Sequence, residues 1–452
     1  MALPVRTRFA LLFASLFAVL LLCPLLPGAQ SETAEPADVQ SEQLAATWFR
    51  ETGPRLDLDT VMRHARQGDF RPTDGRPRSL GIGSHPVWFR LPVHNPGETP
   101  RTLDLVAGAT WIDRIDVHVV RDGQVREHVV AGDGARGRER PLAGLGYHVR
   151  HDFAPGLTEV YLRAETPDPM LMPLQLLSPE QLRARQDRTR YTYGLVYGFI
   201  LALLLYNMLL YLGLRQAQHR DYSIYLAVFL LMNLAYTGHG YNWLWPDTPA
   251  LQAYAILISM VLFAATGLRF AGTFLNLAAH APRLTQGLRG FSLVALGLMA
   301  VMVGVDRQTQ AALLAFTVVL VAFAVMLALG GIALWRGYTA ARYFLLAVIS
   351  GSVGTIITTL TVWGWIPYSA AGFRAVEFGL LIEATLLALA VAYRVREHDR
   401  ARERAEQLAR VDPLTGLLNR RALLEQGEGL YQLSRRTGGE LALVLLDLDH
   451  FK

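Results

Sequence analysis

The sequence predicts a multidomain membrane protein: an extracytoplasmic antiparallel β-sandwich, a seven-helix transmembrane bundle, a helical stalk and the beginning of an α/β module. Three observations carry this reading. Short runs alternating between apolar and polar residues fill the chain before residue 180, at the period of strands. From Tyr191 the composition turns abruptly apolar and stays so to Tyr393. An arginine- and glutamate-rich stretch follows and ends at a proline and a glycine. Over 452 residues only 18% are charged, with a mean hydropathy of +0.25, whereas a soluble protein carries about 25% charged residues.

Charge and cysteine usage narrow the classes further. The net charge is +5, and Lys452 is the only lysine among 43 basic residues, the rest being dispersed arginines. Dispersed arginine is no nucleic-acid footprint, which needs basic residues clustered on one face. The single cysteine, Cys23, excludes a disulfide framework, a cysteine zinc site and an iron–sulfur site.

Residues 1–30 read as an export signal. Arg6 and Arg8 precede the apolar run Phe9–Leu22, and Pro24, Pro27 and Gly28 break it. That run is short of the ~20 residues a bilayer span needs. The mature chain is therefore expected to begin outside the inner membrane.

Residues 40–180 form the expected sensor domain. Strands are predicted at Pro86–Asn95, Thr102–Val106, Trp111–Val120, Gln124–Val130, Tyr147–Phe153, Thr158–Ala164 and Leu171–Leu177. Turn formers separate them: Asn95-Pro96-Gly97, Asp122-Gly123, Gly132-Asp133-Gly134 and Ala154-Pro155-Gly156. Short strands at this spacing argue for an antiparallel sandwich. The stretch Ser41–Arg66 ahead of them looks helical and has no evident place. Trp88 and Trp111 could stack on a sugar, but core packing explains them more simply. His148 and His151, three apart on one strand, point to opposite faces and make a poor metal pair.

Residues 190–394 hold seven apolar segments: Tyr191–Leu214, Tyr222–Trp243, Leu251–Leu275, Leu288–Val305, Gln310–Leu334, Tyr343–Trp363 and Val376–Tyr393. With an exported N-terminus, the loops after spans one, three and five are cytoplasmic. They carry six arginines (215, 220, 283, 289, 336 and 342), against Arg307 and Arg374 in the other loops. This bias agrees with the export signal and puts the C-terminus in the cytoplasm. Within the spans, Glu383 lies mid-span and Glu377 nearer the outer end; both are candidates for an intramembrane switch, beside the simpler reading of hydrogen bonds inside the bundle. Asn207 and Asn233 are expected to bond neighbouring helices. Arg269 is placed to snorkel to the inner interface.

The last span continues without a breaker into a stalk at residues 395–411, where His398, Ala401, Ala405 and Leu408 make a short heptad-like seam. The module at 412–452 opens on Asp412-Pro413-Leu414-Thr415-Gly416, with Asn419 placed to cap a helix over Arg420–Leu433. Leu441–Leu446 then reads as a buried strand, followed by Asp447-Leu448-Asp449-His450-Phe451-Lys452. Carboxylates after a buried strand, followed by a turn and a lysine, suit a magnesium-bound triphosphate.

The segments DPLTGLLNRR and LVLLDLDHFK resemble the opening of the GGDEF domain of diguanylate cyclases. Upstream, VWFRLPVHNP through VYLRAETPD and the apolar spans resemble the seven-transmembrane receptors with diverse intracellular signalling modules, whose extracytoplasmic sensor is a jelly-roll-like sandwich. The resemblance implies that Asp447 binds magnesium through its carboxylate, with the main chain of Leu448 as a second contact. Amides near His450 and Phe451 would face a triphosphate, and Lys452 would stabilise the transition state. The implied reaction condenses two GTP molecules into cyclic di-GMP across a homodimer whose halves are set by the stalk. An extracytoplasmic ligand, carbohydrate among the candidates, would act from outside.

The GG(D/E)EF loop, the guanine-reading residues and the second metal ligand do not occur in residues 412–452. The chain as written is expected to be a fragment of a longer protein and inactive. The alternatives are a receptor with a catalytically degenerate relay module and one with a partner-supplied output.

Overall fold

The computed structural model describes residues 46–73, 78–133, 141–246, 248–408, 412, 415–444 and 446. The expected export signal lies outside them. Two compact units divide the chain, the first ending at Ala390 and the second beginning at Val391.

The first unit opens with eleven strands among the described residues: β1 (Thr47–Arg50), β2 (Arg71–Pro72), β3 (Arg78–Ser79), β4 (Val87–Asn95), β5 (Arg101–Ala107), β6 (Arg114–Arg121), β7 (Gln124–Ala131), β8 (Tyr147–Phe153), β9 (Gly156–Glu165), β10 (Leu171–Met172) and β11 (Leu174–Leu177). Six of them form one sheet in the order β2-β1-β4-β9-β6-β7, opposite a three-stranded sheet β11-β5-β8 and a small pair β10-β3. Every pairing is antiparallel. Phe89, Leu91, Val160 and Leu162 from the large sheet meet Leu103, Leu105, Val149 and Phe153 from the small one, the alternation that a sandwich requires.

Two expected strands begin or break differently. The run from Trp111 joins the sheet only at Arg114, because Ala109–Ile112 closes a turn through Ile112 N–H to the Ala109 carbonyl. Leu171–Leu177 is split at Pro173, which has no N–H to give a ladder. The stretch without an evident place resolves into β1 and helix α1 (Leu58–Gln67). Asp57 caps α1 by accepting from Thr60 N–H, and Gly68 ends it in the left-handed conformation. Val61 and Met62 of α1 cover the outer face of the large sheet at Trp88, Val120 and Tyr161.

The helices that follow are α2 (Pro179–Leu214), α3 (Ala217–Tyr236), α4 (His239–Trp243), α5 (Pro249–Phe274), α6 (Leu277–His280), α7 (Pro282–Gly304), α8 (Gln308–Trp335), α9 (Ala341–Val362), α10 (Ala370–Phe373) and α11 (Ala375–Leu408). Among the described residues six helices are long and apolar enough to cross a membrane. The expected second span, Tyr222–Trp243, is the exception to the count of seven. It is cut at Gly238, whose φ of +79° ends α3 and starts the short α4, and the N-terminal part of α3 carries the charged pair Arg220 and Asp221. Helix α3 nonetheless lies inside the bundle, against α2 and α5. Leu209, Leu293 and Leu346 point outward, as they would toward lipid.

Sandwich and bundle share one core, since Val362 at the end of α9 is buried in the sandwich cluster. Trp111 stacks on Tyr236 and Phe373, with ring centroids 5.4 and 5.9 Å away. Asn242 donates to the Pro141 carbonyl at 3.1 Å, Gln308 to Asp168 at 2.9 Å, and Ser79 to the Val362 carbonyl. The bundle ends after spans two, four and six, which the arginine count assigns to the outside, are therefore the ends the sandwich touches.

In the second unit, Asp412 accepts from the N–H and hydroxyl of Thr415, and Gly416 turns the chain at a φ of +70°. Asn419 caps α12 (Arg420–Thr437), as expected, by accepting from Ala422 N–H at 3.0 Å. Of the strand expected at Leu441–Leu446, the described residues 441–444 and 446 lie outside any ladder, and Leu443 and Leu446 are 89% and 90% exposed. A parallel strand needs neighbours to pair with, and the described residues of this unit supply none. The seam at His398, Ala401, Ala405 and Leu408 lies outside the described side chains.

Candidate functional site

A cavity of about 580 Å³ opens where the sandwich meets the bundle, within the size range of small-molecule sites. Its sandwich wall is made by Gly108–Thr110 and Gly144–Gly146, and its bundle wall by the first turns of α2. Those turns start at a capping box, in which Ser178 accepts from Gln181 N–H and Gln181 returns a bond to the Ser178 N–H. Arg185 and Arg188, three apart on α2, line one side. At Gly144 a side chain would not fit, because a Cβ there would lie 2.7 Å from the Tyr193 ring.

Tyr193 and Arg374 form the floor. The Arg374 guanidinium lies 5.1 Å from the centre of the Tyr193 ring and its Nε is 3.6 Å from Glu377 Oε2. The Tyr193 hydroxyl donates to Glu377 Oε1 at 2.8 Å. Glu377, in the first turn of α11, is 3% exposed. Below the cavity Tyr193 thus meets Arg374 and Glu377, the glutamate 184 residues away in sequence, and Glu377 belongs to the helix that leads out of the bundle.

Six residues on, Glu383 is buried in the bundle and accepts from the Tyr225 hydroxyl at 2.9 Å. Its second oxygen has no hydrogen-bond partner and lies over Gly351 of α9, where a Cβ could not be accommodated. Tyr222 donates to the Ala384 carbonyl beside it. Helices α9 and α11 cross closely here, since a Cβ on Gly379 would come within 2.7 Å of the Ser350 carbonyl and 3.0 Å of Gly354 Cα.

A second cavity of about 120 Å³ lies between the same domains, lined by Trp111, Phe229, Phe263, Asp168 and Asn233. One side-chain oxygen each of Asp168 and Asn233 is buried without a hydrogen-bond partner. Burial pushes the Asp168 carboxyl up to about 8, the nearby Asp113 adding to the rise and the Gln308 hydrogen bond opposing it.

The expected switch residues Glu377 and Glu383 are both brought into the bundle interior against partners from other helices. Asn207 bonds the ring of His219 on α3 at 3.1 Å. Arg269 does more than reach an interface: it pairs with the buried Asp221 at 3.2 Å, which Arg220 and Thr273 also contact. Trp88 and Trp111 are 2% and 5% exposed and serve the core. His148 and His151 diverge, to Asp104 and Glu127. Among the described residues no group of three His, Cys, Asp or Glu could hold a metal. Asp447, Leu448, His450, Phe451 and Lys452 lie outside the described residues, so no fit to magnesium is derived. Sequence reading missed Arg185, Arg188 and Tyr193. It counted Arg374 only as an outer-loop charge. The i, i+3 arginines just ahead of the first span were the one available signal.

A sensor-like sandwich fused to a membrane helix bundle, with a long helix leaving it, defines a membrane-embedded signal-transduction protein. Family models match three consecutive segments: "7TMR-DISM extracellular 2" over residues 43–178, "7TM diverse intracellular signalling" over 189–394, and "Diguanylate cyclase, GGDEF domain" over 409–452. The chain has the domain order of a seven-transmembrane receptor joined to a GGDEF domain. It is similar to the diguanylate cyclase DgcP of Pseudomonas aeruginosa, 52% identical over 50 residues, 11% of this chain and 8% of that protein. It is also similar to an uncharacterized signaling protein of Caulobacter vibrioides, 35% identical over 79 residues, 18% of this chain and 10% of that protein. The chain thus covers a tenth or less of the length of either relative.

Proposed function

We propose that the chain is the sensing and membrane portion of an inner-membrane diguanylate cyclase, with the sandwich outside the cell membrane and the GGDEF segment in the cytoplasm. The observation that carries this reading is the order of segments: extracytoplasmic-type domain, apolar bundle, then DPLTGLLNRR and LVLLDLDHFK matched by the cyclase family model. An external ligand shifts the sandwich against the bundle, Glu377 and Glu383 register the shift inside the membrane, and the helix Ala375–Leu408 carries it onward. Two copies meet through the stalk, each holding one GTP. Asp447 and the main chain of Leu448 would hold magnesium, which would offset phosphate charge, while amides near His450 and Phe451 would face the triphosphate and Lys452 would stabilise the charge that develops.

Residues 412–452 contain no GG(D/E)EF loop. The test begins with the gene's reading frame beyond the codon for Lys452. Membranes carrying the product of the complete frame are supplied with GTP and magnesium and assayed for cyclic di-GMP. The reading expects an intact loop, turnover, and its abolition by Asp447→Ala. A complete frame without that loop, and without turnover, leaves a relay module in place of an enzyme.

A further inference from the structure

The cavity between sandwich and bundle carries a charge pattern that the receptor reading does not explain. Arg185, Arg188 and Arg374 line it, and among the described residues no aspartate or glutamate does. The arginines come from two elements, α2 and the turn before α11, so folding brings them together. Tyr193, Tyr236 and Phe373 supply apolar surface beside them. Guanidinium groups converging on a partly apolar cavity of small-molecule size match a solute with one carboxylate or phosphate and an apolar body.

We propose that this cavity binds a small organic anion, held by Arg185, Arg188 and Arg374, and that Arg374 links its occupancy to α11. Arg374 already stands 3.6 Å from Glu377. An anion in the cavity competes with Glu377 for that guanidinium, so occupancy changes the ion pair at the first turn of the outgoing helix. The Tyr193 hydroxyl, 2.8 Å from Glu377, keeps the buried carboxylate hydrogen-bonded as Arg374 turns to the ligand. This rests on the sensor reading for its purpose, but its test does not depend on cyclic di-GMP.

An anionic lipid headgroup offers the same chemistry as a soluble anion, and the experiment separates the two sources. The full chain in phosphatidylcholine nanodiscs is melted with benzoate, succinate or inorganic phosphate at millimolar concentration, against sodium chloride at equal ionic strength. Benzamide serves as the uncharged match for benzoate. A parallel arm replaces part of the lipid with phosphatidylglycerol. The expected result is a saturable rise in Tm with at least one anion or with the anionic lipid, none with benzamide, and at least tenfold weaker binding in Arg188→Glu and Arg374→Gln. Arg188 is exposed on α2, so Arg188→Glu tests the site without disturbing the core. A rise with the lipid alone names the headgroup as the source. No rise in either arm, or equal rises in wild type and Arg188→Glu, overturns the proposal. Binding that leaves cyclic di-GMP production by the complete frame unchanged would instead count against the sensor reading.

Discussion

Tyr193 on the first helix of the bundle donates a 2.8 Å hydrogen bond to Glu377 on the last, and Arg374 lies over the same tyrosine ring. This one contact ties the helix that follows the sandwich to the helix that leaves the membrane, 184 residues apart in sequence. Tyr193→Phe keeps the ring and removes the donor. Leaving a buried carboxylate short of one bond costs about 1–3 kcal/mol, so Tm in detergent should fall. Tyr197→Phe, whose hydroxyl bonds Thr237 and His239 rather than a carboxylate, should cost less. Equal losses for the two variants would sink the argument that the carboxylate makes the difference.

The crossing of α9 and α11 depends on the absence of side chains. Gly379→Leu puts a branched chain where even a Cβ lies 2.7 Å from the Ser350 carbonyl, and the helices must separate. Overpacking of this kind costs about 1–3 kcal/mol or more. A large fall in folded yield is expected, whereas Gly290→Leu on α7, with open space at its Cβ, should be tolerated. Fluorescence-detected size exclusion distinguishes the two outcomes.

Asp168 makes the junction sensitive to pH. Its carboxyl is pushed from an ordinary 3.8 up to about 8 in the fold, so between those values the folded chain holds a proton that the unfolded chain has released. The contribution is fully present below about pH 4 and is lost as pH rises toward 8. Asp168→Asn removes the titration and keeps an acceptor for Gln308. The variant should match wild type near pH 4 and exceed its Tm by about 2 °C or more at pH 8. Parallel Tm curves from pH 4 to 8.5 would show that Asp168 ionises freely.

Inside the sandwich, Arg163 and Glu51 are 3% and 2% exposed and bonded at 2.8 Å. Removing one partner strands the other charge, at about 3–5 kcal/mol. Arg163→Met should therefore destabilise far more than Arg55→Met, whose side chain is 56% exposed at Asp116. Thermal unfolding followed by circular dichroism would expose the error if the two behave alike.

Much of the candidate site was legible one residue at a time and illegible as a group. Glu377 and Glu383 stand out in sequence because carboxylates inside apolar segments are rare, and both proved buried against tyrosines. Arg374 did not stand out, because an arginine in an outer loop is an ordinary topology charge until Tyr193 and Glu377 are seen beside it. Trp111 offered two readings, and its burial on Tyr236 and Phe373 selected packing. The run from Tyr222 to Trp243 read as one span because periodicity does not register a single left-handed glycine at 238.

Sequence by itself determined the order of modules, the antiparallel sandwich and which bundle ends lie together. These follow from local properties: the two-residue period of strands, the length of apolar runs and the side on which arginines gather. Tertiary structure alone decided that sandwich and bundle share a core at Val362, that three arginines converge on one cavity, and that glycines at 351, 354 and 379 let α9 and α11 touch. Such contacts join residues tens to hundreds of positions apart, and spacing along a chain carries no record of which distant side chains meet.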